Sequence, residues 1–270
     1  MKKVVFITGA SKGFGRHWAE ALLQQGYAVV ATARKLSDLN DLTEKYAENV
    51  LPLQLDVTNR SQCHEAVAAA VEHFHRIDIL ISNAGYGHFG FIEELTEEEA
   101  RKQFETNVFG SLWIIQAVVP IMREQQSGHI LQVSSIGGIT AFPSLGIYNA
   151  SKWAIEGLCE ALGHEVGIFG VKVTLIEPAG YATDWQTVSS SHSNPIAAYQ
   201  PVRDHLMKMA EGYKPGNPSA TSSAILKVIE AANPPSRLLL GAFAWPLIAP
   251  VIEQRMDTWK EWLETSQQAQ

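Results

Sequence analysis

Cysteine, blocks of like charge and long apolar runs are scarce in this sequence. Its 270 residues include two cysteines, Cys63 and Cys159, each alone in a helical pattern. This excludes a disulfide framework and a CxxC metal site, and favours two buried thiols in a reducing cytoplasm. The 21 basic and 28 acidic residues are spread along the chain with a net charge of −7. Since there is no basic block, we expect no nucleic-acid partner.

No apolar stretch predicts an integral membrane span. The run at residues 4–7 is too short for the apolar region of a signal peptide and predicts a buried strand instead. The most apolar late stretch, residues 238–252, is interrupted by Pro246 and Pro250 and falls short of the roughly 18 residues that a span requires. We therefore expect a cytoplasmic protein that at most touches a membrane.

Short apolar runs alternate with longer amphipathic stretches along most of the chain. Seven runs predict strands, at residues 4–7, 28–33, 50–55, 77–82, 129–134, 172–176 and 237–240. Six stretches predict helices, at residues 14–25, 38–47, 60–75, 97–125, 148–169 and 219–232. Continuous apolar strands separated by helices are typical of a parallel sheet covered on both faces. The pattern predicts an α/β, Rossmann-like, doubly wound sheet of about seven strands in a single domain, residues 1–270.

Two segments lie outside this alternation. Residues 180–219 are predicted to be a long irregular connection, and a connection of that length is usually functional, often as an active-site lid. Residues 242–270 are predicted to form a helical tail with a tryptophan-rich amphipathic pattern. We favour a tail that packs on the body or on a partner subunit, with a membrane-contacting helix as the alternative.

A glycine-rich turn directly follows the first predicted strand. It reads Thr8-Gly9-Ala10-Ser11-Lys12-Gly13-Phe14-Gly15 and enters a predicted helix. Glycines let the backbone approach a pyrophosphate closely, and a helix N-terminus offers unpaired N–H groups. The spacing is GxxxGxG, so the general GxGxxG fingerprint is not matched literally. Its position after strand one nevertheless predicts a dinucleotide site.

A tyrosine and a lysine have the spacing needed for proton transfer. Tyr148 and Lys152 are four residues apart at the start of a predicted helix, so their side chains share one face. A phenol with an ordinary pKa near 10 is a poor acid or base at pH 7. An ammonium about 4 Å away is expected to lower the pKa of the phenol by about three pH units before burial offsets part of the effect.

With these motifs the sequence resembles the short-chain dehydrogenase/reductase family over about residues 3–240. The resemblance also rests on Leu55-Asp56-Val57, on Asn83-Ala84-Gly85, and on Ser135 thirteen positions before Tyr148. It implies a catalytic set of Asn107, Ser135, Tyr148 and Lys152. It further implies cofactor contacts at Gly9, Ser11, Lys12, Gly13, Phe14, Gly15, Arg34, Asp56, Val57, Asn83, Ala84, Gly85, Tyr148, Lys152, Pro178, Gly180 and Thr183.

Chemistry and the resemblance together give each catalytic residue a role. Tyr148 is expected to act as general acid in reduction and general base in oxidation. Ser135 is expected to donate a hydrogen bond to the reacting oxygen. Lys152 is expected to lower the pKa of Tyr148 and to bind the nicotinamide ribose. Asn107 is expected to hold a water that links Lys152 to solvent.

The end of the second predicted strand indicates which cofactor is bound. NAD-binding Rossmann proteins usually carry an acidic residue there, but this strand ends Ala33-Arg34 without a carboxylate. A guanidinium can hold a 2′-phosphate that a carboxylate would repel, and the resemblance implies Lys12 as a second cation. We predict NADP(H). No metal site is expected, because the nine histidines form no ligand motif.

One position departs from the family's usual pattern. Ala179, between Pro178 and Gly180, replaces a common glycine, and its methyl group limits positive φ. The conformation of the backbone there is therefore an open question. We still expect contact with the nicotinamide amide near Tyr181 and Thr183.

The predicted activity is that of an NADP(H)-dependent carbonyl reductase or dehydrogenase. The substrate is expected to be a small, apolar ketone, aldehyde or secondary alcohol, and a non-catalytic NADP(H)-binding redox sensor is the alternative. The resemblance implies a homodimer or homotetramer built on helices 97–125 and 148–169. The predicted pocket walls are Tyr86, His88, Phe89, Ile136, Ala141, Phe142, Leu145, Tyr181, Trp185, Tyr199, Met207, Met209 and Tyr213.

Overall fold

A parallel sheet forms the centre of the protein, whose computed structural model describes residues 2–183 and 190–270. Its strands are β1 Val4–Ile7, β2 Ala28–Ala33, β3 Val50–Gln54, β4 Ile79–Ser82, β6 Gly128–Val133, β7 Val171–Pro178 and β9 Arg237–Leu240. Two short strands, β5 Gly87–Phe89 and β8 Ser190–His192, pair in parallel as a separate sheet. The large sheet has the order β3-β2-β1-β4-β6-β7-β9, which confirms the predicted doubly wound fold of seven strands.

Helices connect these strands and cover both faces of the sheet. They are α1 Gly13–Gln24, α2 Asn40–Tyr46, α3 Arg60–Phe74, α4 Glu97–Phe104, α5 Gly110–Gln125, α6 Gly146–Val166, α7 Gln200–Met209, α8 Ser222–Glu230, α9 Ala244–Glu261 and α10 Leu263–Gln268. A π-helical turn, Glu105–Phe109, joins α4 to α5. The six predicted helices are all present, with bounds that shift by a few residues.

The alternation of side chains along the strands divides the core into two layers. In β1, Val4 and Phe6 face the layer covered by α3, α5 and α6. Val5 and Ile7 face the layer covered by α1, α2 and α8. Because both faces are covered, all four residues of β1 are buried. This explains why β1 is a continuous apolar run in the sequence.

The segment predicted to be irregular, residues 180–219, contains regular structure. Within its described part it forms β8 and the ten-residue helix α7, so that prediction was wrong for those residues. No residue of α7 is buried, although Val202, Leu206 and Met209 have the i, i+4, i+7 spacing of a helix. Of the predicted pocket walls, Trp185 lies outside the described residues.

Among the residues that the structure describes, one helical stretch has the length and composition of a membrane span. Residues Glu97–Gln125 are continuously helical, and 44% of the apolar window is buried inside the protein. Core helices of soluble proteins pass the same criterion. Since α5 packs against α3, β4 and β6, burial in the core accounts for its apolar composition.

A buried histidine makes stability depend on pH below neutrality. His129 in β6 is hydrogen-bonded to Thr174 of β7 at 2.9 Å, and burial lowers its pKa from 6.5 to about 4. Because the folded protein disfavours the charged imidazole, this contribution to stability is complete above pH 6.5 and is lost as the pH falls from 6.5 to 4. The loss is expected to reach about 3 kcal/mol in the free energy of unfolding.

Denaturant unfolding at pH 4 to 7 tests this expectation. His129→Gln keeps a side-chain N–H for Thr174 but does not titrate, so its stability should vary less over that range. The exposed His164→Gln is the control for the loss of one histidine. Equal pH dependence in His129→Gln and in the unsubstituted protein would contradict the assignment.

Candidate active site

A large cleft lies beyond the carboxyl ends of the strands. It has a volume of about 1160 Å³ and includes the point where the chain order reverses between β1 and β4, the usual ligand position in this fold. Among the predicted site residues, all but Gly15 and Asn107 line it. Those two lie behind the lining and support it.

Hydrogen bonds from the residues that follow β4 hold the glycine turn in its conformation. Gly9 and Gly13 have positive φ angles, 68° and 57°, which glycine adopts without strain. Asn83 donates from Nδ2 to the carbonyl oxygens of Thr8 and Gly9, at 2.9 and 3.1 Å. The Thr8 hydroxyl accepts the backbone N–H groups of Asn83 and Ala84, each at 2.9 Å. Asn83 and Thr8 therefore fix the shape of the turn.

Gly15 is required by close packing behind the turn. A methyl group added there would collide with the carbonyl oxygen of Gly9 and would lie 2.6 Å from Nδ2 of Asn83. The glycine pattern thus serves two purposes. Gly9 and Gly13 give the turn its backbone shape, and Gly15 lets α1 approach it.

Two exposed cations line the end of the cleft beyond β2. Lys12 in the glycine turn and Arg34 after β2 are exposed and line the cleft. Within residues 2–183 and 190–270, neither has an ion pair with a carboxylate. Both remain available to an anionic ligand. Asp56 also lines the cleft, where its carboxylate accepts the Thr58 hydroxyl at 2.8 Å.

Tyr148, Ser135 and Lys152 come together on one wall of the cleft. Ser135 follows β6, and its Oγ accepts the Gly137 N–H at 3.0 Å. The Ser135 hydroxyl is also hydrogen-bonded to the phenol of Tyr148. Lys152 lies one helical turn after Tyr148, with Nζ 5.8 Å from the centroid of the Tyr148 ring, and it donates to the Val133 carbonyl at 2.9 Å. The predicted serine, tyrosine and lysine are therefore adjacent.

Asn107 lies on the π-helical turn, behind Gly85. Its side chain donates to the Tyr86 carbonyl at 3.0 Å and to Oγ of Ser151 at 3.1 Å, and it accepts the Tyr86 N–H at 3.1 Å. A methyl group at Gly85 would be 3.1 Å from Oδ1 of Asn107 and 3.8 Å from Nζ of Lys152. Asn107 thus holds the loop after β4 against α6. Single π-helical turns, such as the one that carries Asn107, are frequent at functional sites.

Burial governs the protonation of the two central groups. It raises the pKa of Tyr148 to about 12, against a smaller lowering from the hydrogen bond with Ser135. It lowers the pKa of Lys152 to about 8, a change that the negative charge of Glu156 partly opposes. The expectation that Lys152 lowers the pKa of Tyr148 below 10 is therefore not met by the protein's own groups, because both side chains are nearly removed from water.

The backbone around Ala179 needs no special conformation. Ala179 is not among the residues with positive φ, and its N–H donates to Leu240 of β9 at 2.9 Å. Its methyl group is therefore compatible with the turn that leaves β7. Pro178, Gly180, Tyr181 and Thr183 follow along the cleft wall.

Apolar and aromatic side chains from distant segments complete the cleft. Of the predicted walls, Tyr86, Ile136, Phe142, Leu145, Tyr181 and Tyr213 line it. His88, Phe89, Ala141, Tyr199, Met207 and Met209 do not belong to the lining. His88 instead bonds Ser193 at 2.8 Å, and both methionines are exposed to solvent.

Two lining residues from the C-terminal tail were missed by sequence reasoning. Phe243 and Leu247 line the cleft, and the Phe243 ring packs 5.4 Å from that of Tyr213. The tail is anchored by Ala244 and Ile248, which are buried against Ile136 and its neighbours. The only signal in the sequence was the i, i+4 spacing of Phe243 and Leu247.

Comparisons with known proteins give the same assignment as the geometry. The profile of the short chain dehydrogenase family matches residues 3–194. "Oxidoreductase BOA17" of Botryotinia fuckeliana is 38% identical, covering 98% of both chains. "3-ketodihydrosphingosine reductase" of Bacteroides thetaiotaomicron is 37% identical, covering 92% of this chain and 91% of that protein. Among solved structures, a short-chain dehydrogenase from Streptomyces avermitilis is 34% identical with a TM-score of 0.93, covering 100% and 99%.

The structural neighbours include proteins with NADP bound and proteins with NAD bound. ElxO with NADP bound is 26% identical with a TM-score of 0.75, over 88% of this chain and 96% of that one. A short-chain dehydrogenase/reductase from Burkholderia phymatum in complex with NAD is 28% identical with a TM-score of 0.80, over 98% and 95%. Fold, site and relatives agree, and the chain belongs to the short-chain dehydrogenase family of oxidoreductases.

Proposed function

We propose that the protein is an NADP(H)-dependent carbonyl reductase in which Tyr148 is the general acid. The observation that carries this proposal is the buried contact of Tyr148, Ser135 and Lys152 on the wall of a cleft that also contains two exposed cations without ion-pair partners in the described chain. The same residues would catalyse oxidation of a secondary alcohol in the reverse direction.

The residues of the cleft fit a nicotinamide dinucleotide. Gly9 and Gly13 offer a turn that a pyrophosphate can approach, at the N-terminus of α1. Lys12 and Arg34 would bind a 2′-phosphate, and β2 is directly followed by Arg34 and Lys35 rather than by a carboxylate that would repel it. The bound cofactor would supply or accept the hydride. Pro178, Gly180 and Thr183 would hold its nicotinamide end.

The protein's own groups would manage the proton and the charge on oxygen. As a C–H bond forms at the substrate carbonyl carbon, Tyr148 gives its phenolic proton to the carbonyl oxygen, so the carbonyl becomes an alcohol. Ser135, the hydrogen-bond partner of Tyr148, donates to the same oxygen and stabilises its developing charge. Lys152 is close enough to stabilise the resulting phenolate until solvent returns a proton. Asn107 acts behind it as part of the route to solvent.

The raised pKa of Tyr148 favours reduction near neutral pH. With a pKa of about 12, the phenol is protonated at pH 7, which is the form that an acid catalyst needs. Oxidation needs the phenolate, so its rate is expected to increase with pH. A positively charged oxidised nicotinamide would lower this pKa and make oxidation accessible.

The walls of the cleft favour an apolar substrate. Phe142, Leu145, Tyr213, Phe243 and Leu247 come from three separate segments and share this cleft. A surface of this composition binds alkyl or aryl groups by removing them from water. The relative named 3-ketodihydrosphingosine reductase supports a ketone that carries an apolar chain.

Residues 180–219 and 242–270 would act as lid and tail of one domain, residues 1–270. The lid would be fixed at its outer end, because Glu94 accepts the Ile196 N–H at 2.8 Å and pairs with Arg203 of α7.

A homodimer or homotetramer would cover the exposed rings of Phe109 and Trp153 near α5 and on α6. The two buried thiols are consistent with a cytoplasmic location.

A cofactor and carbonyl panel tests the proposal. NADPH and NADH are titrated against the purified protein, and the decrease of absorbance at 340 nm is followed with alkyl and aryl ketones of increasing chain length. The proposal predicts tighter binding of NADPH and a kcat/KM that rises with apolar chain length. Binding of NADPH without turnover across the panel would favour a redox sensor instead, and a preference for anionic sugars would refute the apolar substrate.

A further inference from the structure

A buried ionic cluster lies directly behind Lys152. Glu156 follows Lys152 by one turn of α6, and the two residues are only 5% and 6% exposed. Arg237 at the start of β9 contacts Glu156 and donates to Glu177 of β7 at 2.8 Å. It also donates to Glu160 of α6 at 2.8 Å, where the cluster reaches solvent.

Burial and mutual repulsion favour a proton on one of the two inner carboxyl groups up to neutral pH. Glu156 and Glu177 are adjacent and both are buried, so ionising both is costly. Burial and the neighbouring Glu156 raise the pKa of Glu177 to about 7, and burial also raises the pKa of Glu156. Even with that proton in place, the three carboxyl groups of the cluster outweigh its single guanidinium, that of Arg237. This surplus of negative charge favours the ammonium form of Lys152.

The other groups around this cluster carry no charge. Ser134, at the end of β6, lies beside Glu156. Cys159, on the next turn of α6, is a thiol whose pKa burial raises to about 12. Tyr148 is a neutral phenol on the cleft side of Lys152, and Asn107 is a neutral amide behind Gly85. Glu156 is therefore the closest source of negative charge along α6 for Lys152.

We propose that Glu156, held by Arg237 and paired with Glu177, is a positioning residue that keeps Lys152 in its ammonium form. It touches neither the cleft nor Tyr148 and acts through Lys152. The inference rests on the proposed function, because the charge of Lys152 matters to catalysis only if Tyr148 transfers the proton. Its electrostatic part can be measured without turnover.

The test measures the titration of Lys152 directly. In protein labelled with ¹³C at the lysine ε-carbon, the Lys152 resonance is identified by its loss in Lys152→Met, and its midpoint is followed from pH 6 to 10. Glu156→Gln removes the charge and keeps the shape, and its midpoint is expected to fall by about one pH unit. Glu160→Gln is the matched control, since it also contacts Arg237 but lies one turn further away at the surface. In Glu160→Gln the titration midpoint of Lys152 should stay within about 0.3 pH unit of its value in the unsubstituted protein.

Glu177→Gln supplies a second test, also for the case that Glu156→Gln does not fold. Near the Lys152 midpoint, at about pH 8, Glu177 with its pKa of about 7 also carries charge, but it lies on β7 rather than one turn from Lys152 on α6. Its removal should therefore lower the midpoint of Lys152 by less than about 0.5 pH unit. A fall of one pH unit or more in Glu177→Gln would overturn the proposal, as would an unchanged midpoint in Glu156→Gln.

Steady-state kinetics connect the titration to catalysis. In Glu156→Gln the alkaline limb of kcat/KM for carbonyl reduction is expected to move with the Lys152 midpoint, so that at pH 8 activity is about fivefold lower than in the unsubstituted protein. A purely structural role would lower activity equally at all pH values, which would refute the assignment. If no substrate is turned over but the midpoint still falls, the proposed function fails while the electrostatic role of Glu156 stands.

Discussion

Replacement of Tyr148 by phenylalanine is expected to lower kcat for carbonyl reduction by about a thousandfold, because general acid catalysis by a positioned side chain contributes factors of that order. Phenylalanine keeps the ring and removes only the hydroxyl that bonds Ser135. In the proposed complex many other residues of the cleft also contact the cofactor, so the loss of this one hydroxyl should have little effect on cofactor binding. The dissociation constant for NADPH, measured by fluorescence titration, should therefore change by less than about threefold.

Tyr27→Phe is the matched control for this substitution. The hydroxyl of Tyr27 is also hydrogen-bonded, as a donor to Glu230 at 3.5 Å, but Tyr27 lies directly before β2 and is not part of the cleft lining. The kcat of Tyr27→Phe for carbonyl reduction should remain within about twofold of the value for the unsubstituted protein. If Tyr148→Phe retained more than a tenth of the activity, another group would have to supply the proton.

The sheet and the catalytic spacing were accessible from the sequence because both depend on local patterns. Strands buried on both faces are mostly apolar, so β1 is visible as an uninterrupted run and β2 as a run interrupted by Thr32 alone. The four-residue spacing of Tyr148 and Lys152 fixes a common helix face once α6 forms. The glycines of the turn are equally local, since Gly9 and Gly13 lie within it, although the hydrogen bonds that fix its shape come from the distant Asn83.

Structure that depends on distant partners was not accessible. The three residues of β5 are a strand only because β8, a hundred positions later, pairs with them. Helix α7 has no buried residue and is held by polar contacts such as that of Arg203 with Glu94. Periodicity of apolar residues gives no signal for the three residues of β5. In α7 the helical spacing of Val202, Leu206 and Met209 was a signal that the prediction of an irregular segment missed.

Protonation was the least predictable property of the site. Sequence spacing gives the distance between Tyr148 and Lys152 but not the water that burial removes from both. That removal depends on the whole fold and changes the sign of the predicted change in the Tyr148 pKa. The Glu156–Arg237 contact joins residues 81 positions apart. Polar residues at such a separation leave no pattern from which a buried cluster could be predicted.

Removal of both cations beyond β2 is expected to abolish the preference for NADPH over NADH. Each charge-assisted hydrogen bond to a phosphate is worth about 1.5–3 kcal/mol, so Lys12→Gln with Arg34→Gln should weaken NADPH binding by at least about a hundredfold. NADH carries no 2′-phosphate, and its dissociation constant should change by less than about threefold. Fluorescence titrations with the two cofactors at constant ionic strength measure both effects.

Lys35→Gln separates a local contact from a general loss of positive charge. Lys35 is the exposed neighbour of Arg34 but does not line the cleft, so its removal should leave the ratio of the two dissociation constants nearly unchanged. The single variants resolve the two contributions, because the planar Arg34 side chain can bind a phosphate through two N–H groups and Lys12 acts as a point charge. Arg34→Gln should therefore cost more affinity for NADPH than Lys12→Gln. A native protein that binds NADH as tightly as NADPH would refute the role of both residues while leaving the catalytic role of Tyr148 intact.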